Sequence, residues 1–184
     1  MTHLSAPNAS PSSAAAHVEA LLASYPDFPQ PNILFRDLNP VFADAVAFRA
    51  IIDDLADQHR GQFDAVAGIE ARGFLLAAAV GYAANAAVLA VRKGGKLPGT
   101  VLIEEYDLEY GSARLELEVG QLSAGTRVLI LDDVLATGGT IAATSRLIER
   151  AGYTLAGVGV VLELTDLHGR ERLGTAPVHA IMSI

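Results

Sequence analysis

Cysteine and tryptophan are both absent from this chain of 184 residues. Without cysteine there are no disulfides, no thiolate metal sites and no cysteine nucleophile. Charge is sparse at 18%, and basic charge sparser still: 13 Lys and Arg stand against 21 Asp and Glu, a formal net charge of −8. A sequence-independent grip on nucleic acid needs a basic face, so no nucleic-acid partner is expected. A local basic pocket for a small anion remains allowed. His3, His17, His59, His168 and His179 show no H-x-x-x-H spacing, which argues against a zinc site. No run reaches the roughly 18 consecutive apolar residues of a membrane-spanning helix. Residues 1–16 are rich in Ser, Ala and Pro and carry neither the basic nor the apolar region of a targeting signal. The expectation is a cytoplasmic protein with no membrane partner.

What is abundant is apolar: 51% of the residues are hydrophobic. At this length that predicts one domain over residues 13–184, behind a disordered tail at 1–12. Ser12 or Ser13 caps a first helix running to about Ser24. YPDFPQP, from Tyr25 to Pro31, holds three prolines and excludes helix or central strand. Asp44 reads as the N-cap of a helix carrying Phe48, Ile51, Ile52 and Leu55. From there strands and helices alternate. Strands are predicted at Asp64–Gly68, Ala87–Val91, Arg127–Leu131, Val158–Leu162 and Val178–Met182. Two further segments, Val101–Tyr110 and Ala113–Val119, flank Gly111 as an antiparallel excursion. Near-continuous apolar strands alternating with helices define an α/β fold with a central parallel sheet covered on both faces. Ligands on such sheets bind outside the strand C-termini, so the loops after Gly68, Val91, Leu131 and Leu162 carry the information.

The loop after Leu131 is the strongest signal. A buried strand ends in Asp132 and Asp133, and the small residues Ala136, Thr137, Gly138, Gly139 and Thr140 open a helix. Glycines let backbone N–H groups face an anion, and a helix N-terminus favours phosphate. Thr137 and Thr140 add hydroxyls. The two acids suit vicinal sugar hydroxyls. A phosphate at one end and a diol at the other describe a ribose 5-phosphate. The pattern is neither a Walker A loop nor G-x-G-x-x-G.

VLILDDVLATGGT resembles the phosphoribosyl-diphosphate (PRPP) binding signature of the type I phosphoribosyltransferases. That resemblance implies a parallel sheet, a small N-terminal hood (roughly 25–43) and a flexible β-loop lid (roughly 97–118). FPQPNILFRDLNPVF, GIEARGF, VRKGGKLPG and YDLEYG occur in family order and are similar to the adenine phosphoribosyltransferase subgroup, from about Tyr25 to Leu173. Asn32 departs from the subgroup, which has Gly there.

The resemblance implies a role for each motif. Glu70, Ala71 and Arg72 form a pyrophosphate loop with a cis peptide near Glu70–Ala71. Arg92, Lys93 and Lys96, crowded on a glycine turn, suit a polyanion. Glu105, Tyr106, Glu109 and Tyr110 lie in the lid, with Glu109 as the acid that manages the adenine proton and Arg72 as its catalytic partner. Backbone groups around Leu34 and Arg36 read adenine, with Phe28 and Val134 packed beside it. Implied further are magnesium held mainly through PRPP, with no direct protein ligand, and a homodimer. The reaction implied is adenine plus PRPP giving AMP and pyrophosphate, a purine-salvage step. Two alternatives stay open on the residues: a phosphoribosyltransferase for another base, and a regulator that binds PRPP without turnover. A generic phosphosugar-binding domain lacks a reason for the lid and basic-loop motifs.

Overall fold

The computed structural model describes residues 13–107 and 112–184. Two compact units divide between Ala50 and Ile51. The described part of the first begins with α1 (Ser13–Leu21), β1 (Ala23–Pro26), β2 (Leu34–Asp37) and α2 (Asn39–Ala43). α1 stops at Leu21, short of the expected Ser24, because Ala23 and Ser24 enter an antiparallel ladder opposite Asp37 and Arg36. Strand pairing takes over the backbone groups that another helical turn would need. The proline-rich stretch thus supplies the end of β1 and most of the connection to β2, and the Phe28–Pro29 peptide within it is cis. Asn32 has φ 67°, and its N–H donates to Asp27 Oδ1 at 2.8 Å. Glycine adopts this left-handed conformation freely, and Asn is among the side chains that tolerate it best.

α3 (Ala45–Gln58) starts where the sequence predicts. Asp44 Oδ1 accepts from the N–H of Val46 at 2.9 Å and of Ala47 at 2.8 Å. One side chain therefore satisfies two of the helix's orphan donors.

The second unit is built on a seven-stranded sheet. Its strands are β3 (Ala65–Ile69), β4 (Ala87–Lys93), β5 (Val101–Asp107), β6 (Ser112–Glu118), β7 (Arg127–Leu135), β8 (Thr154–Glu163) and β9 (Val178–Ser183), with α4 (Gly73–Ala84) and α5 (Gly139–Arg150) between them. The order is β5-β6-β4-β3-β7-β8-β9. The five strands from β4 to β9 are mutually parallel, and the β5–β6 ribbon joins antiparallel through β4. All five residues of β3 are buried, as a strand covered on both faces requires. β7 runs four residues past the expected end at Leu131. Asp132, Val134 and Leu135 pair with Val160, Leu162 and Glu163 of β8, so the acids belong to the strand and not to the loop.

Chain order reverses at β3, with β4 on one side and β7 on the other, and the crevice beyond these strand ends is where such folds bind ligands. α4 approaches closely because two glycines meet: a Cβ on Gly68 would lie 2.6 Å from Gly73 O, and one on Gly73 2.7 Å from Leu131 O. α5 covers the other face with Ile141, Leu147 and Ile148 against Ala67, Val128, Ile130 and Val158.

One polar group is buried beneath the α3 side. His59, 4% exposed, lies beside Gly157: a Cβ there would come 3.2 Å from His59 Cε1. Its Nε2 has no hydrogen-bond partner. Burial, and then the neighbouring His179, hold its pKa below the usual imidazole value. His179 Nε2 is 2.6 Å from Asp54 Oδ1.

Replacing Asp44 with Ala removes the α3 cap. It should cost about 1 kcal/mol, seen as a fall of roughly 2–4 °C in the thermal midpoint at this chain size. An unchanged midpoint would show that solvent caps the helix equally well.

Candidate active site

Three loops converge at the C-terminal ends of β3, β4 and β7. After β3, the Glu70–Ala71 peptide is cis, and Arg72 follows as the residue preceding α4. Arg72 Nη2 stands 2.6 Å from Asp133 Oδ2, an ion pair across the crevice between β3 and β7. Glu70 turns the other way. Its carboxylate accepts from Arg92 Nε at 3.1 Å, from the Lys93 N–H at 2.9 Å and from Lys96 Nζ. Those bonds, Lys96 first, draw its pKa down to about 2. Glu70 therefore orients the cations of the basic loop instead of meeting an anion itself. Arg92 is fixed further by lying 5.8 Å over the Phe74 ring. Lys93, the last residue of β4, is exposed.

Two residues hold this loop that sequence reasoning missed. Glu116, 3% exposed, accepts from the N–H of Gly95 at 2.6 Å and of Lys96 at 3.2 Å. These backbone bonds keep its carboxyl below the usual range. Arg114 lies over Gly94, where a Cβ would come 2.0 Å from its Nε. Both come from β6, whose Leu115 and Glu116 pair with Lys93 and Arg92. Nothing in the local sequence near residue 95 points to a strand twenty residues later.

The two acids of β7 differ. Asp133, 8% exposed, is paired with Arg72. Asp132 is half-buried and accepts the Asp133 N–H at 2.9 Å. Loss of water, and then the adjacent Asp133 charge, push its carboxyl well above the usual range, against the pull of that N–H and of Arg72. Beyond them a small cavity of about 70 Å³ is lined by Asp132, Val134 and residues 136–140. Gly138, at φ 79°, precedes α5 and supplies no side-chain cap, so the first-turn N–H groups open toward that cavity. The loop is backed from behind. A Cβ on Gly169 would lie 2.0 Å from Ala136 O, and one on Gly138 2.3 Å from Gly169 O.

The remaining expected residues fall into separate groups. Glu105 and Tyr106 lie on β5, with Tyr106 Oη 3.3 Å from Thr140 Oγ1. Glu109 and Tyr110 lie outside the described residues. Phe28, Leu34 and Arg36 belong to the first unit, on the β1–β2 hairpin, and Val134 to the second. Phe28 is 54% exposed and meets Phe35 edge-on at 5.2 Å beside an open apolar concavity. Arg36 Nη1 donates to Ser24 Oγ at 2.7 Å.

A parallel sheet that gathers an anion-binding helix N-terminus, a pair of acids and a cluster of cations at its switch point is the arrangement of a phosphosugar transferase. The family model described as "Phosphoribosyl transferase domain" matches residues 42–174, and the chain belongs to that family. Within it the chain falls among the adenine phosphoribosyltransferases. It is 64% identical over 167 residues to the adenine phosphoribosyltransferase of Clavibacter michiganensis subsp. michiganensis, covering 91% of this chain and 95% of that one. Against the same-named protein of Renibacterium salmoninarum it is 59% identical, covering 91% and 92%. Crystal structures agree. The enzyme of Rhodothermus marinus superposes with a TM-score of 0.87 at 41% identity, covering 94% of this chain and 99% of that one. That of Saccharomyces cerevisiae, complexed with adenine and an imino-altritol bisphosphate, gives 0.87 at 36%, covering 92% and 99%.

Two outcomes follow from these contacts. Asp132→Asn keeps the oxygen that accepts the Asp133 N–H and removes a carboxylate that the fold disfavours. It should melt higher, each ~1 kcal/mol gained giving about 2–4 °C. Because folding raises the Asp132 pKa, the wild type loses stability as pH climbs above the unfolded carboxyl value near 4. The gap between wild type and variant should therefore vanish in acid and widen toward neutral pH. A pH-independent gap would remove the electrostatic explanation. Gly169→Ala forces backbone apart behind residues 136–140; if that loop holds PRPP, KM for PRPP should rise at least about tenfold, a cost of ~1.4 kcal/mol, and an unchanged KM would show that the loop yields freely or lies off the site.

Proposed function

We infer that the chain catalyses the reaction of adenine with PRPP to give AMP and pyrophosphate, a purine-salvage step. The observation that carries the reading is the uncapped α5 N-terminus beside two acids, with cations gathered across the crevice. Residues 136–140 would hold the 5-phosphate, and Asp132 and Asp133 the ribose diol. Arg72, Arg92, Lys93 and Lys96 would receive the pyrophosphate, with the backbone of Glu70 and Ala71 beside it. Adenine N9 attacks C1 as the C1–oxygen bond to pyrophosphate breaks. Positioning and charge carry the rate, and no covalent enzyme intermediate is needed.

Phe28, Leu34, Arg36 and Val134 form the proposed adenine contacts. Glu109 is the proposed acid for the adenine proton, with Glu105, Tyr106 and Tyr110 in the lid. Magnesium belongs to the same proposal, held chiefly through PRPP oxygens. When bound, with no direct protein ligand, it would offset charge on the departing pyrophosphate. The proposal extends to a cytoplasmic homodimer. Among the described residues no helix is long and apolar enough to cross a membrane. Leu75 and Tyr82 on α4 and Val88 on β4 leave an apolar face exposed that a second copy would cover.

Pyrophosphate release should be measured with PRPP, magnesium and adenine, hypoxanthine, guanine, xanthine, uracil or orotate. Release is expected with adenine. Release with another base instead would overturn the acceptor. PRPP binding without release from any base would make the chain a regulator.

A further inference from the structure

The β5–β6 ribbon is fastened along α5 at two levels. Glu104 accepts from Arg146 Nε at 2.5 Å and from Arg150 Nη1 at 2.6 Å, and Arg150 Nη1 also donates to Ile103 O at 2.8 Å. Two residues on, hence on the same face of the strand, Tyr106 packs its half-buried ring against the main core. Here the Thr140 O–H, at the first turn of α5, donates to the Tyr106 hydroxyl 3.3 Å away, and rotation of the two O–H bonds exchanges donor and acceptor. The ribbon is thus joined to the loop that the proposed function assigns to the 5-phosphate.

A hydroxyl has one proton and two acceptor sites. If the phenol donates to Thr140 Oγ1, the threonine keeps its own proton for another acceptor. Accepting one hydrogen bond also makes that O–H a stronger donor. We propose that Tyr106 is a positioning residue for PRPP: its hydroxyl donates to Thr140 Oγ1 and so presents the threonine O–H to the 5-phosphate. The proposal rests on the reading of residues 136–140 as the phosphate loop. It gives Tyr106 a task independent of any movement of the ribbon. The clamp at Glu104 keeps the phenol in register with Thr140 before substrate arrives.

Tyr106→Phe keeps the ring in the core and removes only the hydroxyl. It should raise KM for PRPP about five- to tenfold, the size of one hydrogen bond between neutral groups. kcat, KM for adenine and the thermal midpoint should stay within about twofold or a degree of wild type. Calorimetric binding of ribose 5-phosphate should weaken by the same factor, a readout that needs no turnover. Thr140→Val should weaken binding at least as much, and Thr140→Ser should restore it. The double variant Tyr106→Phe with Thr140→Val should bind no worse than Thr140→Val alone, because the phenol acts through that one oxygen.

Additive losses in the double variant would overturn the proposal, as would unchanged binding in Tyr106→Phe. A fall in kcat that tracks a lowered thermal midpoint would make the tyrosine a packing residue and reject the positioning role. Unchanged binding in Thr140→Val would refute the phosphate-loop reading, and the Tyr106 role with it. Failure of every base to react would refute the proposed function alone, since the binding measurements still decide the role of Tyr106.

Discussion

Consecutive carboxylates at the end of a buried strand repel each other and lose water together, and one arginine offsets that. Arg72 sits across the crevice from Asp133, leaving Asp132 as the acid whose ionisation the fold resists. The same balance recurs one strand away. Glu70 gathers Arg92, Lys96 and the Lys93 amide, so a cluster of cations in an acidic protein is held by a carboxylate instead of repelling itself apart. Glu116 fixes the turn between those cations through backbone amides. Each charge is therefore in place before a ligand arrives, which lowers the reorganisation that a polyanion would otherwise demand.

That arrangement depends on how closely the elements pack. Gly68 and Gly73 let α4 lie against β3 and β7, which brings Arg72 to the mouth of the crevice. Gly169 and Gly138 let a later segment press on residues 136–140 from behind. Neither contact is apolar burial in the ordinary sense. They are backbone approaches, rigid because main chain cannot rotate aside as a long side chain can.

Legibility in the sequence followed how local the cause was. RVLIL and the buried strand at Val158–Leu162 were readable because two-sided burial leaves an unbroken apolar run. Asp44 was readable because capping acts over three residues. The end of β7 was not, since two acids in succession read as a loop until the ladder with β8 is seen to continue through them. α1 is shorter than its sequence suggests for a similar reason: the competing strand partner lies at Leu34–Asp37. In the candidate site, the grouping of Asp132 with residues 136–140 around one cavity is legible because they lie in one contiguous segment. Glu116 and Arg114 were not, because their role arises only when β6 pairs with β4. The orienting task of Glu70 was likewise hidden, as its partners lie more than twenty residues on.

The imidazole under α3 ties two distant positions into one unit of inheritance. His59 occupies the space that a side chain at 157 would need, and Pro177 O stands equally near that space at 3.2 Å. An alanine at Gly157 would require the ring and the Pro177 carbonyl each to give by a few tenths of an ångström. The reverse step, shrinking His59 first, opens a hole against β8. Among descendants of this sequence, residues 59 and 157 should therefore constrain each other, although ninety-eight positions of chain separate them.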